Sequence, residues 1–348
     1  MLNLIDLRSD TVTQPTPEMR EAMYRAELGD DVYGEDPTVN RLQGMAAERM
    51  GKEEALFVSS GTMGNLIAVL AQCQRGDEVI MGDLGHTFLF EAGGISALGG
   101  IFPHTLPNQP DGTLSLNAIH QAIRPGDVHQ PVSRMVILEN THNRCGGVVL
   151  SRDYCESVGI LARENALKVH LDGARLFNAA VALSTSAKEL AAFADTVTFC
   201  LSKGLSAPVG SVLCGEHDVI EKARRLRKML GGGTRQAGVL AAAGIVALDK
   251  MVPQLADDHR RAKDLANQLC ELPEIEFEIG MPQTNMVFPS VAKNVPLDAA
   301  TFAKKLAQKG VKVGAVGERR IRMVTHYGIE DEDINATMAA VKEVLSRA

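Results

Sequence analysis

Six short apolar segments recur between residues 54 and 215, and helical patterns separate most of them. Each segment is apolar on both faces of the strand that it would form, which is typical of a parallel sheet covered by helices on both sides. The intervening segment 151–165 begins with a serine N-cap and has apolar residues at helical spacing. The pattern therefore predicts an α/β fold with a mostly parallel sheet. The strands are expected at 54–61, 77–83, 134–140, 167–174, 196–203 and 210–215.

The pattern changes near residue 250. A glycine-rich turn and a helix of small residues precede this point, and the rest of the chain mixes short strand patterns with helices at 298–309 and 330–347. A chain of 348 residues is also long enough for two domains. We therefore expect a large domain at 1–250 and a smaller C-terminal α+β domain at 251–348.

Composition and charge limit the partners and the compartment. The net charge of −7 and the lack of tryptophan disfavour binding to nucleic acid, which needs clustered positive charge and stacking aromatic side chains. The sequence has no uninterrupted apolar run of about 18 residues, so no membrane span is expected. Six cysteines without a C-x-x-C pair favour reduced thiols over a zinc site. With an N-terminus that lacks a secretory pattern, these features predict a cytoplasmic protein without a metal site.

Several strands end in polar residues, at the edge where ligands of parallel α/β folds bind. The turn at Gly61 and Thr62 opens a helix, and its free N–H groups suit a phosphate, although plain N-capping explains the local pattern equally well. Asp172 and Arg175 follow a later strand, either as an ion pair or with the carboxylate binding a cationic nitrogen. Lys203 ends the strand after that. These ionisable groups are expected to converge on one cleft.

Lys203 is the most informative of these residues, because an amine at the end of a buried strand is unfavourable unless the site uses it. Burial disfavours the charged form of an amine, and a neutral amine forms Schiff bases with carbonyl groups. Pyridoxal phosphate requires a lysine for its aldehyde, an acid for its ring nitrogen and an anion site for its phosphate. Lys203, Asp172 and the turn at Gly61 and Thr62 supply these groups. A protein that merely binds a phosphate ligand is the alternative, but it would need neither Lys203 nor Asp172.

Long motifs extend from residue 6 to about residue 326. They are DLRSDTVTQPT, DDVYGEDPTVNRL, GTMGN, HTFLFEAGG, LENTHN, HLDGARLFNA, CLSKGLSAPVGS, RKMLGGGTRQAG and RMVTH. In these motifs the chain resembles the L-specific threonine aldolases, which are pyridoxal-phosphate enzymes of the aspartate-aminotransferase-like fold, fold type I. The resemblance implies a large cofactor-binding domain and a small C-terminal domain. It also implies a homotetramer, built as a dimer of dimers, whose subunits share active sites.

The resemblance implies roles at the cofactor for individual residues. Lys203 would carry pyridoxal phosphate covalently, Asp172 would pair with the ring nitrogen, and His86 would stack on the ring. The proton of the substrate hydroxyl would pass to His86 or to His129, because histidine titrates near neutral pH. The residues expected at the cofactor phosphate or elsewhere around the cofactor are Gly61, Thr62, Arg175, Lys228 and Arg235, the last two from the neighbouring subunit.

The resemblance also implies a substrate site and a reaction. A guanidinium group matches a carboxylate with two parallel hydrogen bonds, so Arg175 and Arg322, together with Ser9, would bind the substrate carboxylate. Tyr33 would reach the substrate from the neighbouring subunit. The implied reaction is the retro-aldol cleavage of L-threonine or L-allo-threonine to glycine and acetaldehyde. An aminotransferase, a serine hydroxymethyltransferase-like enzyme and a β-lyase are the alternatives on the same fold.

Overall fold

The structure is a computed structural model that describes residues 4–347. Its strands are β1 (Ile5–Asp6), β2 (Glu54–Val58), β3 (Asp77–Gly82), β4 (Phe102–Leu106), β5 (Val132–Glu139), β6 (Lys168–Asp172), β7 (Thr196–Cys200), β8 (Ser211–Gly215), β9 (Ile275–Glu276), β10 (Met286–Val287), β11 (Ser290–Val291), β12 (Val311–Lys312), β13 (Gly314–Ala315) and β14 (Ile321–Val324). Its helices are α1 (Pro17–Tyr24), α2 (Pro37–Met50), α3 (Gly61–Gln72), α4 (His86–Leu89), α5 (Gly94–Gly99), α6 (Leu116–Ala122), α7 (Arg152–Glu164), α8 (Leu176–Ala182), α9 (Ala187–Ala191), α10 (His217–Met229), α11 (Gly238–Val246), α12 (Val252–Cys270), α13 (Ala299–Gln308) and α14 (Asp331–Ser346).

A seven-stranded sheet forms the centre, in the order β2-β8-β7-β6-β5-β3-β4. The pairs from β4 through β3, β5 and β6 to β7 are all parallel, whereas β8 is antiparallel to both β2 and β7. The prediction of an α/β fold with a mostly parallel sheet is therefore confirmed. The sequence patterns did not identify β4, an edge strand whose residues are mostly exposed or half-buried and therefore form no apolar run.

Local capping explains why the helices next to the site begin where they do. The Ser60 hydroxyl accepts the N–H of Met63 and begins α3 directly after β2. The Ser151 hydroxyl likewise accepts the N–H of Tyr154 and begins α7. The short connection between β2 and α3 holds the N-terminus of α3 at the carboxyl edge of the sheet, where the polar residues of the candidate site lie.

Two large apolar clusters are packed at different ends of the chain. The first surrounds the central sheet and extends to Leu255 in α12. The second begins at Ala262 in the same helix, includes the small strands and α13 and α14, and takes in Ile5 and Leu7 through the pairing of β1 with β12. The change from one cluster to the other falls within a continuous helical run, Gly238–Cys270, in which a π-helical segment links α11 to α12. The division into 1–250 and 251–348 stays a prediction.

Among the described residues, one helix is long and apolar enough to cross a membrane. It is the run Gly238–Cys270, with a mean hydropathy of 1.5 in its most apolar window. Core helices meet the same criterion, and 44% of that window is already buried within the chain. The apolar part, α11, packs against α1 and α2. Length and composition alone are therefore weak grounds for a membrane span, and the expectation of no membrane partner stays a prediction.

Candidate active site

Asp172 ends β6 at the carboxyl edge of the sheet, next to Glu139 at the end of β5. Its side chain is buried, with 2% of its surface exposed. One carboxylate oxygen accepts the backbone N–H of Ala174 at 3.1 Å, and the other accepts an amide hydrogen of Asn65 at 2.9 Å. These two donors fix the orientation of the carboxylate, which suits a partner for a cationic ring nitrogen.

Lys203 lies three residues beyond the end of β7, the strand beside β6. Its carbonyl oxygen accepts the Thr13 hydroxyl and the backbone N–H of Ser206, at 3.0 and 2.8 Å, which fixes the turn that carries the amine. The side chain is half-buried rather than buried as the strand pattern had indicated, because β7 ends before residue 203. The amine is close enough to Asp10 and His86 to affect the pKa of both groups.

The turn at Gly61 and Thr62 forms the first turn of α3, at the same edge of the sheet. Thr62 is exposed and Gly61 is half-buried. A Cβ atom at position 61 would lie 2.9 Å from the sulfur of Cys200, so the backbone packs against β7 too closely for a side chain. The N–H of Met63 already donates to Ser60, so the N–H groups of Gly61 and Thr62 are the ones that this turn offers to an anion.

Arg175 does not form the ion pair with Asp172 that the sequence spacing allowed. Its Nε and Nη2 atoms instead donate to the two carboxylate oxygens of Asp10, at 2.7 and 2.5 Å, and both residues are buried. Burial would raise the pKa of Asp10, but the charge and hydrogen bonds of Arg175, with smaller contributions from Lys203 and Arg322, lower it overall. Asp172 is thereby left to interact with a different cation.

Arg322 in β14 is a second, half-buried guanidinium group near Arg175, but no carboxylate pairs with it in residues 4–347. Its Nη1 atom donates to the carbonyl of Arg8 at 3.4 Å, and its buried Nε has no partner in the same range. Burial, followed by repulsion from Arg175, lowers the pKa of Arg322 to about 10. A partly buried cation without a counter-ion favours an anionic ligand. The neighbouring Ser9 is half-buried and caps a short 3₁₀ helix.

His86 begins α4, and Glu139 accepts its backbone N–H at 2.7 Å. Its Nδ1 atom lies 2.9 Å from a carboxylate oxygen of Glu91, and this hydrogen bond raises the pKa of His86 despite partial burial. The charges of Asp172 and Lys203 are both close enough to the ring to affect the pKa of His86. The structure therefore brings His86, Asp172 and Lys203 to one cleft, together with Arg175 and Arg322.

Four other predicted site residues lie on the surface of the single chain. His129 is exposed, and its ring contacts Asp127 within its own loop. Tyr33 is 75% exposed and lies under the guanidinium of Arg235, with 5.9 Å between the guanidinium carbon and the ring centre. Lys228 is also exposed, near the end of α10. The single chain does not bring these residues to the cleft, so their roles stay predictions.

Sequence reasoning missed four residues that hold the site together. Asp10 pairs with Arg175, and Asn65 binds both Asp172 and Glu91. His170 in turn hydrogen-bonds to Asn65. Asp10, Asn65, Glu91 and His170 all lie inside the motifs DLRSD, GTMGN, HTFLFEAGG and HLDGA, but no local pattern identifies the partner of a buried polar side chain.

The ligand atoms of His86, Glu91 and Asp172 lie within 4.8 Å of one another, as the ligands of a metal ion would. Both carboxylates, however, already accept hydrogen from the amide nitrogen of Asn65, at 2.8 and 2.9 Å. An N–H donor between the two carboxylates suits a hydrogen-bonded network and competes with a cation for the same lone pairs. The expectation of no metal site stays a prediction.

Comparison with known proteins places the chain in a family. The model of the beta-eliminating lyase family matches residues 6–294. Low-specificity L-threonine aldolase 1 of Arabidopsis thaliana is 47% identical over 348 residues, which cover 99% of this chain and 97% of the relative. The chain belongs to the threonine aldolases. The low specificity L-threonine aldolase of Escherichia coli K12 is 45% identical and is matched over its full length.

Solved structures of the same fold confirm the architecture. The threonine aldolase of Leishmania major aligns with a TM-score of 0.84 at 23% identity and covers 98% of this chain and 99% of the other. The serine palmitoyltransferase of Sphingomonas wittichii aligns with a TM-score of 0.77 at 15% identity. At these identities the likeness shows the fold alone, and it agrees with the fold type I prediction.

Proposed function

We propose that this chain cleaves L-threonine and L-allo-threonine, and related β-hydroxy-α-amino acids, to glycine and an aldehyde with pyridoxal phosphate as the cofactor. The neighbouring guanidinium groups of Arg175 and Arg322 carry the proposal, since the half-buried Arg322 has no counter-ion among the described residues and can take the carboxylate of an amino acid. The names of the relatives that match over the whole chain support the substrate and the reaction.

The residues at the cleft fit pyridoxal phosphate. Lys203 offers an amine for the aldehyde, and Asp172 offers an oriented, buried carboxylate for the ring nitrogen. The first turn of α3 offers the N–H groups of Gly61 and Thr62 for the phosphate, because the first N–H groups of a helix have no acceptor within it. When bound, the cofactor supplies an electron sink for the electron pair released on cleavage of the Cα–Cβ bond.

The protein residues then have distinct tasks. Arg175 and Arg322, with Ser9, hold the substrate carboxylate and thereby orient the bond that breaks. Asp10 holds Arg175 in place through two hydrogen bonds. His86 accepts the proton of the β-hydroxyl group, directly or through water, while the aldehyde leaves. His129 is the second candidate for this base, although it lies on an exposed loop of the single chain.

An assay of all four stereoisomers of threonine tests the proposed function. We expect L-threonine and L-allo-threonine each to give one molecule of acetaldehyde for each molecule of glycine. The D-isomers should give neither product. The Lys203→Ala variant is expected to lose both this activity and the visible absorbance of the covalently bound cofactor. An unchanged spectrum in the variant would refute the role of Lys203. Formation of a keto acid without release of acetaldehyde would instead support aminotransferase activity.

We further propose a cytoplasmic homotetramer, a dimer of dimers, in which Tyr33, Lys228 and Arg235 complete the site of a neighbouring subunit. The exposure of all three side chains in the single chain supports this arrangement. The cysteines of the chain are all free thiols, and all but Cys270 are buried, which supports a reducing compartment. Light scattering of the purified protein tests the oligomeric state, and cell fractionation tests the location.

A further inference from the structure

A buried chain of hydrogen bonds leads from α3 to the carboxylates of the site. The amide of Gln72 donates to the Thr196 hydroxyl at 3.0 Å, and this hydroxyl lies 2.9 Å from Nδ1 of His170. Nε2 of His170 lies 3.0 Å from the side-chain oxygen of Asn65. Burial lowers the pKa of His170 to about 4, so its ring is neutral at pH 7. The oxygen of Asn65 can only accept, so Nε2 of His170 is the protonated nitrogen and Nδ1 accepts from Thr196.

This chain fixes which way the amide of Asn65 points. Because its oxygen accepts from His170, its nitrogen faces the opposite side and donates to Glu91 at 2.8 Å and to Asp172 at 2.9 Å. The two carboxylates belong to different parts of the site, since Asp172 ends β6 and Glu91 follows α4. Asn65, 1% exposed, thereby holds the two acids in a fixed relation.

Glu91 in turn contacts the ring that lies over the cleft. The same oxygen, Oε1, that accepts from Asn65 lies 2.9 Å from Nδ1 of His86. An oxygen that already accepts one N–H is best satisfied as a carboxylate oxygen that accepts a second. Nδ1 of His86 therefore carries a hydrogen, and Nε2 is the nitrogen left free to take a proton.

We propose that Glu91 is a positioning residue, which binds the hydrogen on Nδ1 of His86 and so makes Nε2 the basic atom of the reaction. This inference rests on the proposed function and deepens it by choosing His86, rather than His129, as the base. Asn65 is the link that holds Glu91 at a set distance from Asp172. A carboxylate–histidine pair of this kind fixes both the orientation of the ring and its tautomer.

The charged groups around His86 determine the pH at which it acts. Glu91 lies beside it, Asp172 faces it from β6, and Lys203 faces it from the segment after β7. The hydrogen bond with Glu91 is the largest influence and raises the pKa of His86, and the negative charge of Asp172 acts in the same direction. Lys203 and partial burial oppose them. Removal of the charge at position 91 should therefore lower the pKa of His86.

The test compares the wild-type holoenzyme with Glu91→Gln, whose amide keeps the shape of the side chain without its charge. Diethylpyrocarbonate acylates unprotonated imidazole, and mass spectrometry of the peptide that contains His86 gives the rate at each pH. We expect the midpoint of this profile to fall by about one pH unit in Glu91→Gln, with a matching shift in the acidic limb of kcat. Glu156→Gln, an exposed change on α7, is the matched control and should leave both profiles unchanged.

A second measurement requires no variant. Neutron diffraction from the wild-type holoenzyme should show deuterium on Nδ1 of His86, and none on the carboxylate of Glu91. An acylation midpoint that does not move in Glu91→Gln, or deuterium on Glu91 instead of Nδ1, would overturn the inference. The proposed function fails separately, by a lack of acetaldehyde release or of bound cofactor in the wild-type protein.

Discussion

Arg175, which is buried, and Arg322, which is half-buried, place two guanidinium groups close together, but only Arg175 has a carboxylate partner among the described residues. Removal of one partner from a buried charge pair is unfavourable, so a buried cation without a partner normally meets an anion from a ligand. The backbone carbonyl of Arg8 satisfies only one of the donors of Arg322. The substrate carboxylate is the anion that the proposed reaction supplies.

The Arg322→Ala variant tests this assignment. We expect KM for L-threonine to rise about 10- to 100-fold, since a hydrogen bond to a charged group contributes about 1.5–3 kcal/mol. The amount of bound cofactor should change little, because Asp172, Lys203 and α3 are intact. Steady-state kinetics and the visible spectrum measure the two effects. Arg260→Ala, an exposed change on α12, is the control. Equal KM values for Arg322→Ala and wild type would exclude the role.

Asp258 in α12 is a buried acid that the proposed reaction does not use. It is 0% exposed, and neither carboxylate oxygen has a partner among residues 4–347. Burial, with the negative charge of Asp10 nearby, raises the pKa of Asp258 to about 8. The folded protein therefore holds a proton that the unfolded chain releases near pH 4. This contribution to stability is fully present below pH 4 and is lost as the pH rises towards 8.

The Asp258→Asn variant should remove this dependence on pH, because asparagine has the shape of the protonated acid and does not titrate. Between pH 5 and pH 7, the free energy of unfolding of the wild type should fall relative to the variant by about 1 kcal/mol per pH unit. Urea denaturation of both proteins at several pH values measures the difference. Asp264→Asn on the same helix is the control. Parallel stability profiles for Asp258→Asn and wild type would contradict the raised pKa.

At the scale of single elements, α3 is where local sequence gave the most information. The sequence predicts that a helix opens at the turn of Gly61 and Thr62, and α3 begins at Gly61. The contact between Gly61 and Cys200 lies outside the reach of such patterns, because the two residues are neighbours only through the pairing of strands far apart in sequence. The strand β4 was missed for a different reason, because this half-exposed edge strand forms no apolar run.

Gly61→Ala tests whether the first turn of α3 binds the cofactor phosphate. The new methyl group would meet the sulfur of Cys200 at 2.9 Å and push the turn away from β7. Overpacking costs about 1–3 kcal/mol, so we expect the dissociation constant of pyridoxal phosphate to rise about tenfold or more. Fluorescence titration of the apoenzyme measures it.

Two further variants separate this clash from a general effect on the helix. Gly44→Ala in α2 changes a glycine with open surroundings and should leave cofactor affinity unchanged. Cys200→Ala removes the atom that clashes. The Gly61→Ala change should therefore weaken cofactor binding less in the Cys200→Ala protein than in the wild type. An equal loss of affinity in both backgrounds would show that the contact with Cys200 is not responsible.

At the scale of the whole molecule, the sequence predicted the central sheet well and the assembly of the site only in part. Asp172 and Lys203 were predicted as site residues, because each follows an apolar segment and such a pattern can be read from the sequence. Asp10 could not be assigned to Arg175, since 165 residues separate the two and only the packing of the N-terminal segment on the sheet brings them together. Residues that would act across a subunit boundary need contacts with a second subunit, so the structure of one chain does not test their roles.

The exposed residues Tyr33, Lys228 and Arg235 provide a test of shared active sites. In a symmetric dimer each site would combine Lys203 of one subunit with Arg235 of the other. Lys203→Ala and Arg235→Ala would each damage every site of their own homodimer. In a mixed dimer one site carries both changes, whereas the other carries neither.

Random mixing of the two variants should therefore restore about a quarter of the wild-type sites, since half of the dimers are mixed and each has one intact site. Unfolding and refolding the two proteins together, followed by the acetaldehyde assay, measures the recovery. Each variant refolded alone is the control for its residual activity. Activity of the mixture no greater than the average of the two separate variants would mean that Arg235 acts within its own subunit or not at all. Recovery near a quarter would instead require that Arg235, which is exposed in the single chain, acts on the site that holds the partner's lysine.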